Sequence, residues 1–219
     1  MRFLKAFTLF VIVPIIISCG DDEPAAPIPV KPRVLFFHAS PGLDNVDILV
    51  DNTLSVPGLA YSQNTGYLSL NSGNRQIKVN LAGKPFNAID TTANFSNDRS
   101  YSFFLADTAI RVSPLILQDS IPTASAGKAF LRIVNLAHTQ NAIDITDPNG
   151  IVVTRMGNIG FKRATSFIDL NPATLNFQIT PVGSPAKLFD FKPTLIANKV
   201  YTVVVTGSSP NGYELIVNR

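Results

Sequence analysis

The chain has 219 residues, and its 18 Lys and Arg side chains outnumber its 15 Asp and Glu side chains, giving a formal net charge of +3 at pH 7. The basic residues are scattered singly, with no stripe of interleaved aromatics, which argues against a nucleic-acid partner. The single cysteine excludes an intrachain disulfide.

The first residues have the pattern of an export signal. Two basic residues, Arg2 and Lys5, precede a mostly apolar run over residues 7–17. This run is well short of the roughly 20 residues that a helix needs to cross a bilayer. It therefore predicts a signal peptide over residues 1–18, cut before Cys19.

The surroundings of Cys19 indicate its chemistry. Residues 16–19 (Ile-Ile-Ser-Cys) resemble the lipobox of bacterial lipoproteins, in the looser form of Bacteroidetes. The acidic residues 21–23 resemble the tag that sends such lipoproteins to the outer face of the outer membrane. The resemblance implies lipidation of Cys19, stable anchoring in the outer membrane and exposure at the cell surface. The alternative is a lone cysteine at the end of a secretory segment, cut off or left free.

A proline-rich tether is predicted after the lipid site, over residues 19–32. Four prolines and no periodic apolar pattern occur in this stretch. Such a segment is extended at about 3 Å per residue, so it would hold a folded body a few tens of ångströms from the lipid surface.

The rest of the chain repeats itself. Residues 46–48 (Val-Asp-Ile) correspond to residues 143–145 (Ile-Asp-Ile) at an offset of 97, and Tyr101 corresponds to Tyr201 at an offset of 100. Each unit has about 90 residues, the size of one small domain. We predict a first domain over residues 33–117, a linker over residues 118–127 and a second domain over residues 128–219.

Both units have the hydrophobic period of β-strands. Apolar residues at positions 77, 79 and 81 alternate with polar ones, and positions 175, 177 and 179 do the same. Similar short runs are separated by clusters of Gly, Pro, Asn and Asp. The predicted fold class is all-β, with two tandem antiparallel β-sandwich domains of immunoglobulin-like type.

Several recurring polar residues are predicted to serve the fold. Tyr101 and Tyr201 each follow a turn and open an apolar strand, a position that resembles the tyrosine corner of Greek-key sandwiches. His38 and Asn135 occupy the same slot in the two units, which favours a hydrogen bond that closes the following turn over a metal site at His38.

The recurring aspartates are also predicted to have structural roles. Asp47 and Asp144 lie between inward-facing residues, so they point outward or toward a loop. Asp44, Asp47 and Asp51 could be imagined as calcium ligands, but they lack the spacing and the glycine of an EF-type loop. A solvated role is favoured, and no metal or cofactor is predicted.

No catalytic motif is found. The sequence has no Gly-x-Ser-x-Gly elbow, no His-Glu-x-x-His and no phosphate loop. Only His38 and His138 could act as the usual base at neutral pH, and they do not correspond between the units. A Ser-His-Asp site assembled in space stays open, but the prediction is that the protein is not an enzyme.

The residues suggest a family. A strand ending in His-Ala-Ser-Pro at residues 38–41 and the later Val-Asp-Ile at residues 46–48 resemble the bacterial domain-of-unknown-function family 4397. The likeness covers most of residues 33–219, although the second unit replaces the His-Ala-Ser-Pro stretch. The resemblance implies an exported, often duplicated and lipid-anchored sandwich at the cell surface, and it supplies no activity.

Two short patterns resemble O-glycosylation sites of exported Bacteroidetes proteins. They place Thr108 and Ser120 as acceptors within Asp-Thr-Ala and Asp-Ser-Ile. Ser120, in the predicted linker, is expected to be the more accessible of the two.

The leading functional hypothesis is a non-catalytic binding or adhesion module at the cell surface, which contacts a surface polymer or an outer-membrane protein. The absence of Trp counts against a stacking platform for sugars. The alternative is a structural spacer or accessory subunit of an outer-membrane complex. A hydrolase is a distant third reading.

Overall fold

The computed structural model describes residues 29–123, 127–207 and 212–219. The predicted signal peptide, Cys19 and residues 20–28 of the predicted tether lie outside the described residues. The described chain is built from strands, with one short 3-10 turn at Ala109–Arg111. No helix within these ranges is long and apolar enough to span a membrane.

The first half of the chain is a sandwich of two sheets, which we call the N-terminal sandwich. Its strands are β1 (Arg33–His38), β2 (Val46–Val50), β3 (Thr53–Leu59), β4 (Asn64–Ser69), β5 (Gly73–Leu81), β6 (Asn87–Phe95), β7 (Ser100–Ala106) and β8 (Ser113–Asp119). One four-stranded sheet has the order β4-β1-β7-β8, and the other has the order β3-β2-β5-β6.

The second half forms the C-terminal sandwich. Its strands are β9 (Ala129–Asn135), β10 (Ala142–Thr146), β11 (Ile159–Gly160), β12 (Arg163–Ala164), β13 (Ile168–Leu170), β14 (Phe177–Pro181), β15 (Phe189–Phe191), β16 (Val200–Val205) and β17 (Tyr213–Val217). One sheet has the order β12-β9-β16-β17, with β13 also on β9, and the other has the order β11-β10-β14-β15. The strand order is the same as in the N-terminal sandwich.

The all-β sandwich class expected from the sequence is confirmed, with one addition. Most neighbouring strands are antiparallel, but β1 pairs with β7 in parallel and β9 pairs with β16 in parallel. Between the two members of each parallel pair the chain passes through the opposite sheet. The chain can therefore return to the end at which the first strand of the pair began, so that the second strand runs in the same direction. A tight hairpin does not allow this.

Each sandwich has an apolar core, and a third core lies between the two sandwiches. In β1, Val34 and Phe36 point into the N-terminal sandwich, whereas Leu35 and Phe37 point toward the C-terminal one. The buried residues of this interface are Leu35, Phe37, Ala39, Phe104, Ala106, Val134, Leu136, Val204 and Ile216.

This packing explains the composition of the central strands. Because β1, β7, β9 and β16 are covered on both faces, their side chains are buried almost without interruption. Strands buried on both faces are continuous apolar runs, whereas strands with one wet face alternate. Alternation is therefore found in the outer sheets, as in β2 with its buried Val46, Ile48 and Val50.

The ordered N-terminal sandwich extends beyond two of the predicted segment boundaries. Strand β8 continues to Asp119, inside the stretch predicted as a linker. The last residues of the predicted tether also contact the N-terminal sandwich, since the Asp98 N–H donates to the Val30 carbonyl at 2.8 Å and the Leu70 N–H donates to the Pro32 carbonyl at 3.0 Å.

Candidate binding sites

The two recurring tyrosines bond to the backbone just before their strands. The hydroxyl of Tyr101 accepts a hydrogen bond from the Ser96 N–H at 3.0 Å, and that of Tyr201 accepts one from the Ile196 N–H at 3.1 Å. Both rings are buried in their cores. This is the geometry of a tyrosine corner, in which the hydroxyl ties the preceding turn to the strand.

His38 and Asn135 lie at the ends of the corresponding strands β1 and β9, and both are fully buried. Each accepts a hydrogen bond from the backbone N–H two residues later: Ser40 N–H to His38 Nδ1 at 3.3 Å, and Ala137 N–H to Asn135 Oδ1 at 3.0 Å. The other ring nitrogen of His38 lies 3.2 Å from the Asp44 carbonyl. Burial lowers the pKa of His38, so the ring is neutral at pH 7.

The recurring aspartates hold loops. Asp47 accepts hydrogen bonds from the backbone N–H groups of Gly58 at 2.8 Å and Gly83 at 3.0 Å, and Asp144 accepts one from Asn158 at 2.6 Å.

Asp51, the third aspartate considered as a calcium ligand, binds other protein groups. Asp51 pairs with Arg75 at 2.9 Å, and its other carboxylate oxygen accepts the Gln76 N–H at 3.0 Å. Within the described ranges no group of three or more His, Cys, Asp or Glu side chains could hold a metal ion.

The remaining sites singled out from the sequence are placed differently from one another. Ser120 is exposed just after β8, whereas the Thr108 hydroxyl oxygen is buried. His138 is half-buried in the turn after β9, and its Nδ1 is buried without a partner among the described residues.

A buried polar network crosses the interface between the sandwiches. Arg132 of β9 donates a hydrogen bond of 2.7 Å to Asp119 of β8, and their side chains are 4% and 0% exposed. Asp119 also accepts from the Ser102 hydroxyl at 2.8 Å and from the Tyr67 hydroxyl at 2.7 Å. We call Tyr67, Ser102, Asp119, Arg132, Thr202 and Asn218 the interface network.

The network is satisfied on both sides of the interface. Thr202 accepts from the Arg132 guanidinium at 3.0 Å and donates to Asn218 at 2.7 Å, and Asn218 donates to the Tyr67 hydroxyl at 2.8 Å. The planar guanidinium also lies 4.8 Å from the centre of the Phe167 ring. A charge with this many partners tolerates burial, because each lost water contact is replaced.

Sequence reasoning missed this network, although a signal was present. Arg132 and Thr202 each interrupt an otherwise apolar strand, and Asp119 was assigned to the linker. A charged residue inside a buried strand needs a partner of opposite charge, but sequence alone does not say where that partner is.

A polar groove crosses the outer sheet of the C-terminal sandwich. Its cavity has a volume of about 380 Å³. We call it the Thr146 groove; its lining residues with amide or hydroxyl side chains are Thr146, Asn149, Gln178, Thr180 and Ser184. The Thr146 hydroxyl oxygen is buried and has no hydrogen-bond partner within the described structure.

One wall of the groove is a loop that is held in shape by Asp147. Its carboxylate accepts the Asn149 N–H at 2.9 Å and the Ile151 N–H at 2.8 Å. The hydrogen bond from Ile151 lowers the pKa of Asp147, so the carboxylate is ionised at neutral pH. Gly150 completes the turn with φ +80°, a conformation that other residues rarely adopt.

The two sandwiches differ at this groove. Thr146 pairs with Gln178 across β10 and β14, and the corresponding pair in the N-terminal sandwich is Leu49 with Lys78 across β2 and β5. Thr180 corresponds in the same way to Asn80. The main difference is therefore at the first pair, where a hydroxyl and an amide in the second half replace an apolar and a charged side chain in the first.

Residues 32–146, just over half of the 219 residues, match the family described as Domain of unknown function (DUF4397). The chain belongs to the DUF4397 family.

The DUF4397 match begins just before β1 and ends at the last residue of β10. It covers the N-terminal sandwich and the first two strands of the second. Thr146 is thus the last matched residue, and Gln178 and Thr180 lie beyond it, so family membership assigns no role to the groove.

No curated protein matches the DUF4397 chain. Among solved structures, a family 26 carbohydrate-binding module of Eubacterium rectale in complex with maltoheptaose is 11% identical, over 83% of this chain and 100% of the other, with a TM-score of 0.28. An α-glucan-binding streptococcal virulence factor is 13% identical, over 82% and 95%, with a TM-score of 0.27.

A putative cell adhesion protein of Bacteroides fragilis is 12% identical, over 87% of the DUF4397 chain and 97% of its own, with a TM-score of 0.20. At TM-scores of this size the likeness carries no argument about the function of the chain.

Proposed function

We propose that the protein is a non-catalytic binding module at the cell surface, anchored in the outer membrane by a lipid on Cys19, and that its Thr146 groove takes an uncharged, hydroxyl-rich polymer such as a glycan chain. The observation that carries the proposal is the buried hydroxyl of Thr146, a residue that lines the groove, because this hydroxyl has no hydrogen-bond partner in the described structure. A buried polar atom without a partner costs free energy, and a ligand hydroxyl would remove that cost.

The chemistry of the lining supports the same ligand class. Amide and hydroxyl groups both donate and accept hydrogen bonds, as the hydroxyls of a sugar do. The described residues that line the groove include no Lys, Arg, Asp or Glu, which fits an uncharged ligand better than a charged one. Exposed Ile151 and Val182 lie in the two loops beside it and offer apolar contact in place of the missing Trp.

A matched pair of variants tests the groove. Thr146→Val keeps the shape of the side chain and removes only its hydroxyl, and Thr92→Val does the same at an exposed position of the N-terminal sandwich. Neutral polysaccharides from the bacterial surface and from host matrix are screened on an array, and affinity for those retained is then measured by calorimetry. We expect Thr146→Val to weaken binding about tenfold, the loss of one hydrogen bond, and Thr92→Val to leave it unchanged.

Thermal unfolding separates binding from folding. Since the Thr146 hydroxyl has no partner among the described residues, Thr146→Val should not lower the melting temperature. The proposal fails if no neutral polysaccharide is retained, or if the two variants bind equally well.

The interface between the sandwiches supports a second candidate, a spacer subunit of an outer-membrane complex. Two halves joined by an apolar layer and a satisfied ionic network form one stiff body, which suits a structural part. Stoichiometric recovery with one outer-membrane protein in a pull-down, together with no retention of any glycan, would favour this candidate over the binding module.

A further inference from the structure

A second cavity, of about 370 Å³, lies at the end of the molecule where the predicted tether enters the N-terminal sandwich. We call it the arginine cavity, because it is lined by Arg33 at the start of β1, Arg99 just before β7 and Arg219 after β17. Ser100 and Ser120 add hydroxyl groups to its wall. It shares no lining residue with the Thr146 groove, so binding at one site does not require the other.

The guanidinium groups in the cavity are largely uncommitted. Arg33 donates to the Ser100 hydroxyl at 3.1 Å and lies 5.4 Å from the centre of the Tyr67 ring. The side chains of Arg99 and Arg219 have no hydrogen-bond or ion-pair partner among the described residues.

Two carboxylates also line the cavity, and they do not cancel its charge. Asp119 is already neutralised by Arg132 at 2.7 Å and is fully buried. Asp98 accepts the Val30 N–H at 3.2 Å and has no ion pair in the described structure. Three arginine side chains therefore stand against one unpaired aspartate side chain among the described residues that line the cavity.

We propose that the arginine cavity binds a phosphate group. The planar guanidinium presents paired N–H donors that match phosphate oxygens, and hydroxyl groups such as those of Ser100 and Ser120 donate to the same oxygens. The position suits a phosphate at the membrane surface. Residues 20–32 connect this end of the body to Cys19, and an extended tether of that length reaches no more than a few tens of ångströms.

The first experiment uses inorganic phosphate as the probe on the full chain. Calorimetry should show saturable binding that is about tenfold weaker in Arg99→Gln and in Arg219→Gln, since each removes one charged donor. The matched control is Arg111→Gln, which makes the same change of charge in the turn at the other end of β7, away from the cavity. Melting temperatures verify that all three variants fold.

The second experiment separates lipid phosphate from other sources. Cosedimentation is measured with vesicles of phosphatidylcholine containing about one-quarter phosphatidylglycerol. The Cys19→Ala chain is used as the background, so that no lipid anchor contributes. Recruitment that is lost in Arg99→Gln and Arg219→Gln, and kept in Arg111→Gln, assigns the cavity to lipid headgroups.

The remaining outcomes are also decisive. Arginine-dependent binding of inorganic phosphate without recruitment to vesicles supports the cavity and assigns it to free or polymer-borne phosphate. The proposal is overturned if the parent chain binds no phosphate, or if Arg111→Gln weakens binding as much as the cavity variants do.

Discussion

Arg132 donates a 2.7 Å hydrogen bond to Asp119 across the interface between the two sandwiches, and both side chains are almost completely buried. Asp119 ends the last strand of the N-terminal sandwich, and Arg132 lies in the first strand of the C-terminal one. The pair therefore fixes the two halves relative to each other within a few residues of the segment that connects them.

Removing one member of this pair should destabilise the whole chain. Arg132→Met leaves Asp119 buried without its cation, which typically costs about 3–5 kcal/mol. Urea unfolding followed by circular dichroism gives the change in the free energy of unfolding. The matched control is Arg155→Met, because Arg155 pairs with Asp169 at an exposed site and its loss should be barely measurable.

A double variant distinguishes an uncompensated charge from lost packing. Arg132→Met with Asp119→Leu removes both charges, so it should recover much of the stability lost in Arg132→Met alone. A double variant as unstable as the sum of both single ones would show that the pair is not the cause of the loss.

His38 should make the protein sensitive to mild acid. Burial lowers its pKa below the ordinary value of 6.5, so the unfolded chain binds the proton more readily than the folded one. The stabilising contribution is therefore fully present above about pH 6.5, the ordinary pKa, and is lost as the pH falls below it toward the lowered pKa of the folded state.

The C-terminal sandwich suggests the variant that tests this. Asn135 makes the same backbone hydrogen bond as His38 and does not titrate. His38→Asn should keep the fold and flatten the dependence of melting temperature on pH in that range. An unchanged acid sensitivity in His38→Asn would assign the effect to other groups.

The tyrosine corners should each contribute through one hydroxyl. Tyr101→Phe removes the acceptor of the Ser96 N–H, and Tyr201→Phe removes that of the Ile196 N–H, so each should lower the free energy of unfolding by about 1–3 kcal/mol. Tyr101→Leu should cost more, because the ring also packs 5.0 Å from the Phe95 ring. Equal stability of Tyr101→Phe and the parent would contradict a structural role for the hydroxyl.

Cys19→Ala should release the protein from the membrane without unfolding it. Both sandwiches fold from residues far from position 19, and no disulfide can depend on the only cysteine. Fractionation of cells, with the melting temperature of the released protein as a control, measures both effects. Retention of the variant in the membrane fraction would exclude lipidation as the anchor.

Surface exposure of the anchored protein needs its own measurement. Protease added to intact cells should remove the body beyond the tether if the anchor lies in the outer leaflet. Complete protection until the cells are lysed would place the protein on the periplasmic side.

Local sequence patterns predicted much of the fold. The alternation around residues 76–81 predicts a strand with one wet face, and β5 has this pattern, with Ile77 and Val79 in the core. The shared slot of His38 and Asn135 was also visible as a repeat. These features depend on neighbours a few residues away or on a fixed offset, which a sequence displays directly.

The sequence by itself determined the all-β class, the duplicated strands and the prediction of export through Cys19, because each rests on residue spacing along the chain. Only the tertiary structure decided that β1, β7, β9 and β16 are buried on both faces and that Asp119 and Arg132 meet there. It also decided that Thr146 lines a groove with Gln178, and that Arg33, Arg99 and Arg219 share one cavity. These relationships join residues that are far apart in the sequence, from 13 positions for Asp119 and Arg132 to 186 positions for Arg33 and Arg219. Such contacts depend on how the sheets pack, which no local pattern encodes.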